Sequence, residues 1–288
     1  MPKKLIEKLD RLSSRSAVKY GVYWTAITLF FTLILIPPLL GILIKWRTMW
    51  DVFGDSELLS SAMDALRNSF VVAVLVSALD VAAGVPMAWL IARSKSAWVN
   101  VLDALADVPF IVPTAVLGYS LLLFWYKPEG ISSIFGSPLV SPGWLLVVLL
   151  HFAFSYPVVV RVIVGALLDY KIEYEQAART LGAPPFTTAR TVTLGIIKPS
   201  LIASFILAFA RSISETGATM MVAGAFVNGP IFIQNMKDTN VGATVFVSLF
   251  LILFSCLIFA VVRYFGSRFK LPVKGAWPSL ERRCSYSA

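Results

Sequence analysis

"EYEQAARTLGAPPFTTARTVTLG", residues 173–195, is polar, carries charge of both signs, and lies between segments apolar enough to sit in lipid. Its local chemistry reads as helix, turn, helix. Tyr170–Leu181 holds good helix formers, and Glu175 precedes Arg179 by four residues, the favourable order for an ion pair on one helix face. Gly182 suits the left-handed residue after a helix end, and Pro184-Pro185 forbid continuation. Pro185 then fits the first turn of a second helix through Thr187–Val192. Ala177, Ala178 and Leu181 are expected to form a small, low-relief face that another surface can approach closely. The stretch is a stiff lever.

The surroundings set the fold class. With 58% hydrophobic and 14% charged residues in 288, and a mean hydropathy of +0.79, a soluble domain is excluded. Runs of about 20 apolar residues match the thickness of a bilayer's hydrocarbon. Six spans are expected: Gly21–Ile44, Asn68–Ile91, Ala104–Tyr126, Trp144–Leu168, Ile196–Ile213 and Val245–Phe265. The fold class is thus an all-α integral membrane protein. Internal prolines (Pro37-Pro38, Pro109 with Pro113, Pro157) are tolerated in membranes because neighbouring helices and waters satisfy the freed backbone groups. They mark kinked helices that line a cavity, or else irregular packing.

Charge fixes the expected orientation. The N-terminal segment, the loop with Arg93 and Lys95, the lever and the tail together hold 18 Lys and Arg; the opposite side holds 5, namely Lys45, Arg47, Arg67, Lys127 and Lys237. That asymmetry puts both termini and the lever in the cytoplasm. The net charge of +9 follows from this placement and says nothing of substrate or nucleic acid. The first span is too long for a cleaved signal, and Lys45-Trp46-Arg47 offers no small-residue cleavage site. Cys256 and Cys284 form neither a disulfide framework nor a metal motif.

Several chemistries are absent. The chain has no G-x-x-x-x-G-K-[ST], no G-x-G-x-x-G and no H-E-x-x-H, and its single histidine, His151, lies inside the fourth span. A P-loop ATP site, a histidine metal site and a His-based triad are all excluded, and no cofactor is expected. Energy for any work must come from a gradient or from another subunit. The lever is then either an amphipathic loop lying on headgroups or a docking element for a soluble motor. Docking accounts at once for the stiffness, the small face and the missing ATP site.

These residues resemble a known family. "EYEQAARTLGA…VTLG" is similar to the cytoplasmic loop E-A-A-x-x-x-G-x9-I-x-L-P of permease subunits of type I ABC importers, from prokaryotic cell membranes. Gln176, Ala177, Ala178 and Gly182 take its first four defined positions, and Val192, Leu194 and Gly195 its last three. Gln176 stands where the pattern has Glu, although Glu175 precedes it, and Gly195 replaces its proline. The resemblance runs from about residue 66 to 265. It implies an N-terminal segment (1–20), a first helix with an external loop (21–65), a permease domain (66–265) with coupling loop 170–195, and a basic tail (266–288). It further implies that Glu175, Gln176, Ala177, Ala178 and Gly182 couple to two ATPase subunits. A second permease copy and an external binding protein complete the assembly, whose catalysis belongs to the partners.

Two further stretches, "LDALADVPFIVPTAVLGYSLLLF" (102–124) and "FILAFARSISETGATMMVAG" (205–224), resemble molybdate, tungstate and sulfate permeases. Thiamine, ferric-ion and polyamine importers share parts of these patterns, so they stand as alternatives. Ionisable groups at membrane depth are expensive and count as functional candidates. Asp80, Arg211, Ser214 and Glu215 are the expected pathway residues, because "ARSISETGA" interrupts an apolar run where irregular backbone needs a cavity. The alternative makes Asp80, Arg161, Arg211 and Glu215 structural pairs, with His151 a hydrogen-bonded packing residue. A rival of another class is a proton-coupled secondary transporter relaying through Asp80, His151 and Glu215. It needs no lever, and no internal repeat supports it.

Overall fold

The computed structural model describes residues 16–268. Lys3, Lys4, Lys8, Arg11 and Arg15 lie outside them, as do Lys270, Lys274, Arg282, Arg283 and Cys284. The first crossing is α1 (Ser16–Leu29), a π stretch (Phe30–Leu35) and α2 (Ile36–Leu43). Pro37 and Pro38 cannot donate to the carbonyls four residues back, and the helix widens into its π turn directly ahead of them. The apolar window of this segment is 0% buried, so lipid or another chain must cover it. A 3₁₀ segment (Trp46–Gly54) then leads into α3 (Ser56–Arg93). Asp55 starts α3 by accepting from the amides of Glu57 and Leu58, both at 3.0 Å. With 38 residues, α3 outruns its expected span, passes the expected boundary at residue 66 unbroken, and carries Pro86 inside it, an internal proline that the sequence reading passed over.

The third span, expected over Ala104–Tyr126 with a kink at its prolines, is bent so sharply that it is two separate helical pieces. It divides into α4 (Ala97–Ala106) with α5 (Val108–Ile111), and α6 (Thr114–Trp125), bent by 108°. The cause is Pro113. Its ring keeps Val112 out of helical space, at φ −77° and ψ 127°, and Pro113 itself is extended at ψ 136°. After α7 (Ser132–Phe135), α8 (Trp144–Asp169) runs through Pro157 without breaking.

The lever is α9 (Glu173–Thr180), α10 (Pro185–Thr188), a π stretch (Ala189–Thr193) and α11 (Leu194–Ile196). The chain turns 69° into α12 (Lys198–Ser214), then continues through α13 (Gly217–Val222), α14 (Gly229–Met236) and α15 (Val241–Arg268). Among the described residues, four helices are long and apolar enough to cross a membrane, up to six if each bent pair is one span.

The core lies where α3, α8 and α12 meet. Val72 and Val76 pack against Leu146, Val147 and Phe154; further along, Ala88 and Ala208 pack against Val159, Val160 and Ile163. Lipid is as apolar as these side chains, so close packing rather than the hydrophobic effect holds such helices together. Gly84 shows how close: a Cβ there would fall 2.9 Å from Val159 Cγ1. At the opposite end, Val52, Leu66, Phe246 and Val247 tie the 3₁₀ segment and α15 to α3.

Candidate functional site

The lever is rigid for local reasons. Gly182 adopts φ +87°, and the amides of Gly182 and Ala183 reach back to the carbonyls of Arg179 (2.9 Å) and Ala178 (3.1 Å). These paired bonds satisfy the last carbonyls of α9, as a Schellman cap does. Pro185 opens the second helix, which runs to Ile196, beyond the expected Val192. The outward face differs from expectation. Gln176 and Ala177 are exposed and Ala178 half-buried, but Leu181 is 90% exposed and Phe186 77%. Two large apolar side chains therefore flank the Gly182 turn, where a low-relief face was expected.

Glu175 also departs from expectation. It does not pair with Arg179. Its Oε1 accepts from Arg93 Nη2 at 2.7 Å and from Thr193 Oγ1 at 2.7 Å. The Arg93 guanidinium lies over the rings of Trp89 (5.7 Å) and Tyr170 (5.6 Å). A pair one helical turn apart is worth only about 0.2–0.5 kcal/mol, so a half-buried, charge-assisted partner displaces it. Tyr170 is buried in the same knot, with its hydroxyl 3.5 Å from Thr193 Oγ1, and burial pushes its phenol above the ordinary range.

The second feature is a break where the fifth span ends. Helix α12 ends at Ser214, Glu215 is extended (φ −80°, ψ 126°), and α13 restarts at Gly217. Arg211 Nη1 stands 3.6 Å from Glu215 Oε2, and its guanidinium lies 5.1 Å from the centre of the Phe154 ring. Glu215 is buried, and its Oε1 accepts from the Ala218 amide at 3.2 Å. Ser214 is exposed beside this pair, its hydroxyl donating to the Arg211 carbonyl at 3.1 Å. Helix α13 sits tightly on α6: a Cβ on Gly118 would lie 3.0 Å from the Ala218 carbonyl oxygen.

His151 of α8 bridges the break. Nδ1 is 2.7 Å from Ser212 Oγ and Nε2 is 2.9 Å from Thr219 Oγ1. Thr219 gives its own proton to the Glu215 carbonyl at 3.1 Å, so it accepts from Nε2–H, and Nδ1 accepts from Ser212. One turn further along α8, the Ser155 hydroxyl contacts Asp80 Oδ2 and reaches the His151 carbonyl at 2.6 Å. Asp80 is fully enclosed, and its Oδ1 has no partner. The structure thus links Asp80 to the break through α8, while only Arg211 and Ser214 of the expected pathway residues reach the surface.

Arg161 is a structural anchor. Its Nε donates to Asp107 Oδ1 (2.7 Å), while Nη1 and Nη2 reach Asp103 Oδ1 and Asp107 Oδ2 at 2.5 Å each. These bonds clamp the broken third span onto α8. The sequence reading named neither Asp103 nor Asp107, although two carboxylates four residues apart were the available signal for a lone arginine in a span. Arg93, Thr193, Thr219 and Phe186 were also missed; nothing local marks the first three.

The profile of the family described as "Binding-protein-dependent transport system inner membrane component" matches residues 84–271. The sulfate transport system permease protein CysT of Salmonella typhimurium is 33% identical over 207 residues, which cover 68% of this chain and 72% of the relative. The molybdenum transport system permease protein ModB of Mycobacterium bovis is 33% identical over 236 residues, 77% of this chain and 85% of the relative. The molybdate/tungstate transport system permease protein WtpB of Methanocaldococcus jannaschii is 29% identical over 242 residues, 84% and 96%. In fold, the chain is similar to the crystal structure of a bacterial ABC transporter involved in the import of the acidic polysaccharide alginate. That match has a TM-score of 0.70 at 13% identity and covers 93% of this chain and 100% of the other.

Proposed function

The chain belongs to the family of binding-protein-dependent transport system inner membrane components, and from that membership we propose that it is the permease of an ATP-driven oxyanion importer. One observation carries the reading: a Schellman-capped lever with an exposed apolar tip, on a chain that has no phosphate-binding motif. Work done by another subunit has to be received by a stiff element. Leu181 and Phe186, with Gln176 and Ala177 beside them, form the surface offered to an ATPase, and Gly182 sets the angle between the two helices. Glu175 and Ala178 support that surface from within.

Sulfate, molybdate or tungstate is the proposed cargo, in keeping with the named relatives. The relatives named above do not favour thiamine, ferric ion or polyamine. In an assembly of two permease copies, two ATPases and an external binding protein, Arg211 and Ser214 of each copy line the pathway. Arginine offers planar donors and stays charged, which suits a divalent tetrahedral anion. Asp80 acts through Ser155 and His151 rather than on the cargo. Alternating access follows if closure of the ATPases draws the two levers together. The Lys and Arg asymmetry supports termini and lever on the cytoplasmic side. A proton-coupled transporter needs no docking lever and leaves this one unexplained.

The test is uptake by proteoliposomes holding the permease with its ATPase and binding protein. ATP-dependent accumulation of one of the three oxyanions is expected. Uptake of thiamine alone overturns the cargo, and failure of any ATPase to co-purify overturns the class.

A further inference from the structure

Arg93 and Glu175 stand 82 residues apart in the chain and meet at 2.7 Å, where α3 ends against the lever. This contact is the centre of a knot. The same carboxylate oxygen, Oε1, accepts from Thr193 on the second lever helix, so one atom joins both lever helices to the last residue of α3. Above it, the guanidinium stacks over Trp89 of α3 and over Tyr170, the residue that follows α8. The side chains of the pair are only 22% and 17% exposed.

A charge-assisted bond in such a place is strong, short-range and weakly screened. Arg93 Nε is buried without a partner, so loss of Glu175 would leave a poorly solvated cation behind. The covalent routes out of the lever are softer: a three-residue turn, 170–172, leads back to α8, and a 69° bend leads on to α12. The covalent route from the lever to α3 runs back through the whole of α8 and then α7, α6, α5 and α4. Leu194 and Ile197 share an apolar cluster with Ala88 of α3, but the polar, directional link from α9 to α3 is Arg93. From α3 the displacement passes to α8 across the Gly84–Val159 contact and the Asp80–Ser155 contact.

Resting on the reading of the lever as the element that receives an ATPase's stroke, we propose that Arg93 and Glu175 form the joint that passes this stroke to the second-span helix. They are positioning residues, and neither is part of the docking surface. The proposal predicts loss of coupling without loss of assembly. In proteoliposomes with the ATPase and binding protein, the quantity to measure is oxyanion accumulated per ATP hydrolysed. Arg93→Gln is expected to co-purify with the ATPase and to lower that ratio by about tenfold, the scale of a typical coupling free energy between sites. Arg93→Lys keeps the charge but loses the stack, and should fall between. Exchange of the pair, Arg93→Glu with Glu175→Arg, should regain most of what Arg93→Glu alone loses.

An unchanged ratio in Arg93→Gln overturns the joint. So does an exchange that performs no better than the single reversal. Loss of ATPase co-purification in Arg93→Gln, with the wild type still assembling, makes the contact part of docking and also overturns it. If the wild type itself binds no ATPase, the underlying importer reading fails instead.

Discussion

His151 Nε2 and Thr219 Oγ1 lie 2.9 Å apart across the break that divides α12 from α13. Both groups are buried, and Ser212 on the near side of the break holds the other ring nitrogen. One side chain on α8 therefore fixes how α13 leaves α12. Three polar groups meet there, and among the described residues no other side chain hydrogen-bonds to them.

His151→Phe should fill the site with a somewhat larger apolar ring and lose both bonds, leaving the Ser212 hydroxyl buried without its partner and Thr219 with only its bond to the Glu215 carbonyl. An unsatisfied buried group costs about 1–3 kcal/mol. The expected result is a lower midpoint in thermal denaturation of the detergent-solubilised protein, with His151→Gln losing less. Equal melting of His151→Phe and wild type would remove His151 from the support of the break.

The lever can be tested by its turn and by its tip. Gly182 has open space around it, so Gly182→Val is disfavoured purely by the φ of +87°, a backbone strain of about 1–3 kcal/mol. Leu181→Asp and Phe186→Asp place charge on a surface proposed to be desolvated. All three variants should insert in membranes and lose ATPase co-purification, read by pull-down through an affinity tag on the permease. Ala178→Trp should also fail, because Ala178 is half-buried and a large ring there displaces the lever itself. Normal pull-down by the two aspartate variants would move the docking surface elsewhere.

Arg211→Gln removes the half-exposed cation at the break and leaves Glu215 buried with the Ala218 amide as its remaining bond. Oxyanion uptake should fall at least about tenfold, a loss of roughly 1.4 kcal/mol or more in the transport step, with the complex still assembled. Undiminished flux would take Arg211 out of the pathway while leaving the importer assignment intact.

Orientation is open to labelling in right-side-out cells. Cys284 should be inaccessible to a membrane-impermeant thiol reagent, and a cysteine placed by Lys127→Cys should react. Labelling of Cys284 from outside would reverse the topology that the Lys and Arg asymmetry predicts.

Much of this molecule is encoded within a few residues of each feature. Hydropathy located the spans, and Gly182 with Pro184-Pro185 wrote the lever, because a left-handed cap and a missing amide hydrogen act within one turn of helix. The missing phosphate cradle and the E-A-A-like loop together pointed to the family. Only the tertiary structure decided the pairings. Glu175 had a local partner four residues away in Arg179, yet it chose Arg93 across 82 residues. Arg161 found Asp103 and Asp107, and His151 found Ser212 and Thr219, all distant in sequence and on other segments. The third span broke at Pro113, whereas α8 passed through Pro157 and α3 through Pro86 without breaking. Local propensity differs by tenths of a kcal/mol, while a polar group buried without a partner costs several times more. Which partner satisfies it depends on which helices lie side by side, and that is settled only when the whole bundle has packed.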